Sequence, residues 1–277
     1  MGSVFPSLRC PVEMPSLSPA LRRREPMSYV EHRRISVHDG RLVAEGQDMP
    51  AAAIPAEHLV ALLLGPGCSI TTEAAAMAAK AQTVVLFVGE SGVRFYAAGR
   101  PFGGTGDVAE RHARCWSTDA VSGRQRLFRA RWGRDPGGES GAEIRGEEGL
   151  LVREMYRRLA ETHHVLWTGR KRTNFSGEDS INDALSWGGV SVGAVSAAAV
   201  HAVGAIPALG FIHTGGSFSF VYDIADLVRN EIDEVVFTAA EAGDLSARTI
   251  RIACRDYFRE HETVEYLIGQ VLGVIGA

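Results

Sequence analysis

A carboxylate set on an apolar stripe is the feature that most constrains how this chain can fold. Read as a helix, RGEEGLLVREMYRRLAE from Arg145 to Glu161 puts Leu151, Val152, Met155 and Leu159 on one stripe, and Glu148 falls on that stripe one turn before Val152. Taking an unpaired carboxylate out of water is so unfavourable that such a group finds a cation, a metal ion or a proton. Glu148 therefore needs a partner.

A second cluster of chemistry lies in FIHTGGSFSFVYDIADLVR, from Phe211 to Arg229. His213 sits in a glycine-softened loop. Asp223 and Asp226 follow at i and i+3 in a segment whose Val221, Ile224 and Val228 recur at helical spacing, so both acids are expected to project from the opposite face. One imidazole and a set of carboxylates would suit a hard divalent cation. A lone histidine after an apolar pair is ordinarily a packed or capping residue, and two acids three apart on a helix are ordinarily solvated. The pattern gains weight only in combination with Glu148.

The remainder of the chain divides by periodicity. Its 277 residues make one large domain or two modest ones, and 45% hydrophobic residues suffice for a sizeable core. Residues 1–27 carry Pro6, Pro11, Pro15, Pro19, Pro26 and the run Arg22-Arg23-Arg24 without periodicity, as a loosely ordered arm would. From Tyr29 the residues alternate around Asp39-Gly40, a dipeptide that favours a tight hairpin. HLVALLLGPG, His58 to Gly67, reads as a buried strand, and TTEAAAMAAKAQ as a helix capped by Thr71 or Thr72. TVVLFVG, Thr83 to Gly89, returns to strand, with GVRFYAAG as its continuation. The glycine-rich Arg100–Asp107 contains neither a dinucleotide fingerprint nor a P-loop and reads as a link. Helices are expected thereafter, over Val108–Trp116, Ser122–Trp132, the Glu148 segment and the small-residue stretch Asp179–Val203. The expected class is α+β: an arm over 1–27, a small β-rich domain over 28–101 and an all-α domain over 102–277.

A formal net charge of −4 does not by itself suggest a nucleic-acid binder, but distribution matters more than the sum. The cations are almost all arginine, since Lys80 and Lys171 are the only lysines. In SARTIRIACRDYFREH, Arg248, Arg251, Arg255 and Arg259 line one helix face while Ile250, Ala253, Cys254 and Tyr257 line the other. Such a row is either a solvated face with Asp256 and Glu260 as partners or the seat of a phosphate backbone. The cysteines Cys10, Cys68, Cys115 and Cys254 are scattered, with no pair at zinc-ligand or redox spacing, which reads as reduced and cytosolic. No run approaches the roughly eighteen apolar residues of a membrane span.

Five blocks in order, LGPGCSITTEAA, VGESGVRFYAAG, RGEEG, GFIHTGGSFSFVYDIAD and IRIACRDYFR, strongly resemble the CRISPR-associated endonuclease/integrase of spacer acquisition, subtype I-E. The resemblance runs from about Leu17 to the end. It implies a β-rich N-terminal domain before a helical catalytic one, and catalytic residues at Glu148, His213, Asp223 and Asp226. It also implies Mg2+ or Mn2+ held mainly by Glu148, His213 and Asp223, with Asp226 close by. The implied reaction is attack of a DNA 3′-hydroxyl on a phosphodiester at the edge of a CRISPR repeat. Arg94, Arg229, Arg248, Arg251 and Arg255 match basic positions along the DNA path of relatives. The implied assembly is a cytoplasmic homodimer, two of which flank a central dimer of a small adaptation partner protein on double-stranded DNA. His32 stands where relatives carry a tyrosine thought to brace the duplex end, and no proline-rich tail follows the last helix, so the partner would dock on other surfaces. A non-catalytic architectural subunit, or a nuclease that trims branched DNA without integrating it, are the competing readings.

Overall fold

The computed structural model describes residues 24–47, 49–89, 95–99, 106–170 and 180–276. The α+β class is as expected: strands come first and helices follow. Strand β1 (Glu25–Val30) is succeeded by β2 (Arg34–His38) and β3 (Arg41–Gly46), a hairpin whose turn residues Asp39 and Gly40 have φ of +48° and +71°. Positive φ at both central positions is what the tight turn of a two-residue hairpin demands, and Asp-Gly supplies it at little strain. Next come β4 (Met49–Ile54), a 3-10 turn at Ala56–His58, β5 (Leu59–Leu64), the short β6 (Ser69–Ile70), and α1 (Thr72–Lys80), whose Thr71 cap accepts from the Ala74 N–H at 3.2 Å. Strands β7 (Val84–Val88) and β8 (Phe95–Gly99) complete the described strands.

Three details differ from the sequence expectation. Glu25 to Met27, assigned to the arm, belong to β1, because Met27 packs into the core beside β5. The FYAAG segment does not prolong β7 but folds back antiparallel to it as β8. Strand β4, MPAAAI, is exposed over most of its length and carries Pro50 and three alanines, so neither alternation nor β propensity marked it.

Strands β1, β5 and β7 run parallel with β8 antiparallel at the end, and β4, β3, β2 and β6 form a second sheet. All six residues of β5 are buried, as a parallel strand covered on both faces requires. Its side chains are divided between two cores. Leu59, Leu62 and Leu64 join Ile35, Leu42 and Ala74 on the side of the second sheet and α1, whereas Ala61 and Leu63 join the helices. The first sheet is therefore a wall common to both cores.

On the helical side stand α2 (Gly106–Thr118), α3 (Ala120–Trp132), α4 (Gly141–Thr162), α5 (Ser180–Ala202), α6 (Ser219–Ala225), α7 (Arg229–Glu241), α8 (Ala247–Glu260) and α9 (Thr263–Val274). Helix α5 packs against α6 through α9 and against β1, β5 and β7. Contrary to the sequence expectation, it is long and apolar enough by length and composition to cross a membrane, but 83% of that apolar window is buried inside the protein. Small residues let its neighbours close in: a Cβ at Gly188 would lie 3.1 Å from Ile232 of α7.

Because the wall is shared, damage to one core should be felt by the other. Leu62→Ala, on the side away from the helices, is expected to destabilise the chain by about 2–5 kcal/mol. It should also shift the urea transition of tryptophan fluorescence, although Trp116, Trp132, Trp167 and Trp187 all lie in the helical part. A separate, unshifted tryptophan transition would show that the cores unfold independently.

Candidate active site

The loop between α5 and α6 carries His213, and its shape is set by side chains from three other elements. His112 of α2 is fully buried, its Nε2 donating to the Leu209 carbonyl at 2.9 Å and its Nδ1 accepting from the Ile206 N–H at 3.1 Å. That pairing requires the neutral ring, and burial pushes the His112 pKa down to about 4, the Leu209 hydrogen bond opposing. The imidazole packs between Phe211 and Phe220, with centroids 5.6 and 4.3 Å away. Trp116 Nε1 donates to the Gly210 carbonyl at 2.9 Å, and Arg145 of α4 donates to the Ile212 carbonyl at 2.5 Å. At Gly210 there is no room for a side chain, since a Cβ would lie 2.7 Å from that of Ser219 and collide with the His213 carbonyl.

Asp223 closes the loop from inside. Its Oδ2 accepts from the backbone N–H groups of Phe211 and Ile212 at 2.5 and 3.2 Å, and its Oδ1 from the backbone N–H and ring Nδ1 of His213 at 2.8 and 2.9 Å. The side chain has no exposure. Burial pushes its pKa up, and the hydrogen bonds from His213 and Phe211 oppose that. With four donors aimed at two oxygens, a proton on the carboxyl would have to displace one of them, so the geometry calls for the carboxylate. The same contact fixes the His213 tautomer: Nδ1 carries the hydrogen and Nε2 points away.

The expectation that Asp223 and Asp226 share an exposed helix face is therefore corrected. Helix α6 is only seven residues long and buried on nearly all sides, so Asp223 at 2% exposure points inward. Asp226 is the C-cap residue, where the chain turns, and its side chain is 31% exposed. Both oxygens of Asp223 accept from these four donors. Nε2 of His213 faces Asp226 instead, at 3.9 Å from Oδ2.

Glu148 lies inside, as its stripe position requires, with its side chain 10% exposed. Helix α4, which carries it, starts at a capping box: Ser140 Oγ accepts from the Glu143 N–H at 3.2 Å, and Glu143 accepts from the Ser140 N–H at 3.0 Å. The partner of Glu148 is Arg131, in the last turn of α3. Arg131 Nη1 donates to Glu148 Oε1 at 3.3 Å and makes an ion pair with Asp226 Oδ2 at 3.0 Å. Burial raises the Glu148 pKa, and the Arg131 charge opposes it. Burial alone would lower the His213 pKa, but the Asp223 hydrogen bond and the charges of Asp226, Asp223 and Glu148 carry it above its ordinary value.

Arg131 thus joins Glu148 to Asp226, and Asp226 faces His213. Among the described residues no three acidic, histidine or cysteine side chains are yet closed around one point, and a guanidinium holds the carboxylates together. In donor chemistry the set, two carboxylates and one imidazole nitrogen, fits a hard divalent cation. Arg131, His112, Trp116 and Arg145 had no signal of their own in the sequence beyond the demand that Glu148 find a cation.

The arginine row is divided. Arg248 is exposed at the start of α8, and Arg251 lies over the Tyr29 ring at 4.0 Å. Arg255 and Arg259 turn to Asp256 at 2.9 and 2.6 Å and to Glu25 at 3.9 and 3.0 Å, docking α8 on the start of β1. Arg229 points inward, donating to Asp233 Oδ1 and to the Leu185 carbonyl, both at 2.8 Å. Arg229 and Arg255 are thus both engaged by acids. Arg94 lies outside the described residues.

Comparison with known proteins gives a consistent result. Residues 122–258 match the family model for CRISPR associated protein Cas1. A CRISPR-associated endonuclease of Rhodospirillum rubrum is 34% identical over 282 residues, spanning 96% of this chain and 90% of that protein. The corresponding Escherichia coli endonuclease is 34% identical over 266 residues, spanning 93% and 87%. The crystal structure of a TtCas1–DNA complex superposes with a TM-score of 0.79 at 32% identity over 91% of each chain. A casposase bound to integration product shares the fold, with a TM-score of 0.66 at 13% identity over 87% of this chain and 90% of that one.

The buried neutral His112 has a consequence for pH dependence. Its folded pKa of about 4 lies below the ordinary 6.5, so the stability it contributes is present above pH 6.5 and is lost as pH falls toward 4. Thermal unfolding across that window should show a loss of up to about 3 kcal/mol from this group. His112→Gln should flatten that part of the profile; an unchanged slope would remove His112 as its source.

Proposed function

The chain belongs to the Cas1 family of CRISPR-associated endonucleases, and from that premise we propose that its reaction centre is Glu148, His213 and Asp226, braced by Asp223. Its activity is that of a nuclease and integrase of CRISPR adaptation, and it acts on DNA. The observation that carries the site assignment is the division of labour between the two aspartates. Asp223 is spent on the loop, while Asp226 faces His213 Nε2 and Glu148 across Arg131.

In this reading Glu148, Asp226 and His213 Nε2 would hold Mg2+ or Mn2+, which when bound polarises a phosphoryl oxygen and stabilises charge on the oxygens in transfer. The chain's own residues do the positioning. Asp223 holds His213 Nδ1–H so that Nε2 presents a lone pair, and the 206–213 loop is pinned by His112, Trp116 and Arg145 so that this nitrogen has one location. In the joining reaction the 3′-oxygen of an incoming strand forms a bond to phosphorus, the repeat strand's bond to that phosphorus breaks, and the released 3′-oxygen takes up a proton. Water in place of the 3′-hydroxyl gives simple cleavage.

The order of the five sequence blocks supports placement in subtype I-E. We further infer a homodimer working in the cytoplasm with a small adaptation partner protein, two such dimers flanking a central dimer of the partner. We assign phosphate contacts to Arg248 and Arg251, which lie in the first turns of α8 where Arg248 is exposed, with Arg94 retained from the sequence pattern.

Strand transfer tests the site directly: a supercoiled repeat-bearing plasmid, a short duplex with 3′-hydroxyl ends, the partner protein, and Mg2+ or Mn2+. Glu148→Gln, His213→Ala and Asp226→Ala are each expected to reduce joined product by about 100-fold or more while the chain stays folded. Joining by Asp226→Ala at wild-type rate would return the ligand role to Asp223. DNA binding without joining or cutting by the wild type would favour an architectural subunit.

The arginine assignments separate by salt dependence. Arg248→Ala and Arg251→Ala should each weaken DNA binding uniformly across sequences and lower the log–log salt slope by about 1. Arg229→Ala should leave that slope unchanged and lower the thermal midpoint, since it strips Asp233 of its buried partner. A reduced slope in Arg229→Ala would restore its place on the DNA path.

A further inference from the structure

Four helices meet at one guanidinium. Arg131 comes from the last turn of α3, Glu148 from α4, Asp226 from the C-cap of α6 and Asn230 from the first turn of α7. Arg131 Nη1 reaches Glu148 Oε1 and Asp226 Oδ2, and its Nε and Nη2 reach Asn230 Oδ1 at 3.3 and 3.1 Å. The Arg131 side chain is 6% exposed, its guanidinium carbon lies 4.8 Å from the centre of the Trp132 ring, and Asn230 is itself buried. A planar fork tied at three nitrogens to three neighbours has no free rotamer to swing into.

We propose that Arg131 is a positioning residue of the reaction centre, holding Glu148 Oε1 and Asp226 Oδ2 so that the two carboxylates are already side by side for a divalent cation. This rests on the reading that Glu148, His213 and Asp226 hold such a cation. Two effects oppose each other. The guanidinium repels an incoming cation, whereas it removes the cost of bringing two carboxylates together and holding them in place. Because the guanidinium is buried and shares its charge among two acids and an amide, the ordering effect wins. Loss of an outer partner of this kind weakens metal binding by about 10- to 100-fold. A placeholder that leaves when the metal arrives would act in the opposite sense, its removal tightening binding.

Calorimetric titration of the intact chain with Mn2+, well below the thermal midpoint, distinguishes these. Arg131→Gln is expected to weaken Mn2+ binding about tenfold or more. Arg131→Lys keeps the charge without the fork and should fall between Arg131→Gln and wild type. Asn230→Ala, which unties two of the guanidinium nitrogens, should weaken binding less than Arg131→Gln, and together with the lysine variant it carries the test should Arg131→Gln not fold. Binding as tight as wild type, or tighter, in these variants overturns the role of Arg131 and leaves the metal site standing. Failure of wild type itself to bind Mn2+ overturns the metal reading, and this inference with it.

Discussion

A buried carboxylate cannot be left without a cation, and the active end of this molecule follows from that. Glu148 is carried inward by the apolar face of α4, and the partner it meets is Arg131. A buried ion pair is weak evidence for net stability, because desolvation offsets most of the attraction, but removing one partner costs roughly 3–5 kcal/mol. Its value is specificity. Arrangements of α3, α4, α6 and α7 that fail to bring Arg131, Glu148, Asp226 and Asn230 together leave a buried charge unmet, so the pairing selects the helix packing that also sets Asp226 beside His213.

The His213 loop obeys the same logic with backbone groups in place of charges. Irregular backbone inside a protein must find partners for its N–H and C=O groups. Here Asp223 takes three N–H groups, and Trp116, Arg145 and His112 satisfy the carbonyls of Gly210, Ile212 and Leu209. A loop with this much of its polarity met by side chains behaves as part of the scaffold. His213 is consequently held to one ring orientation while remaining 37% exposed at its outer edge. A rigid imidazole whose Nε2 faces Asp226 follows from burying the rest of the segment.

How much of this was legible in the sequence depended on whether the signal was local. The Asp39-Gly40 hairpin, the Thr71 cap and the six-residue run of β5 are encoded in neighbouring residues, and each forms as its pattern requires. Strand β4 was hidden because Pro50 and its alanines owe their extended form to pairing with β3. Glu148 was legible as a residue needing a partner, yet nothing nearby selects Arg131 among many arginines, since that choice is made by the packing of α3 against α4. The aspartates failed for another reason. Helical periodicity sorts residues into an inner and an outer face, and α6 has no outer face of any length: Ser219, Phe220, Val221, Asp223, Ile224 and Ala225 are all buried.

The row on α8 shows the limit of spacing as evidence of function. Four arginines recur on one face, but a row says nothing about which acids will approach it from other elements. Glu25 arrives from the first residue of β1, distant in sequence, and with Asp256 it engages Arg255 and Arg259. At the N-terminal end of α8, Arg248 is exposed and Arg251 rests on Tyr29. The helix N-terminus adds a positive partial charge at that end. With its far half tied to Glu25 and Asp256 and its near half set on Tyr29, the helix shows that equal spacing along one face does not make its arginines equivalent.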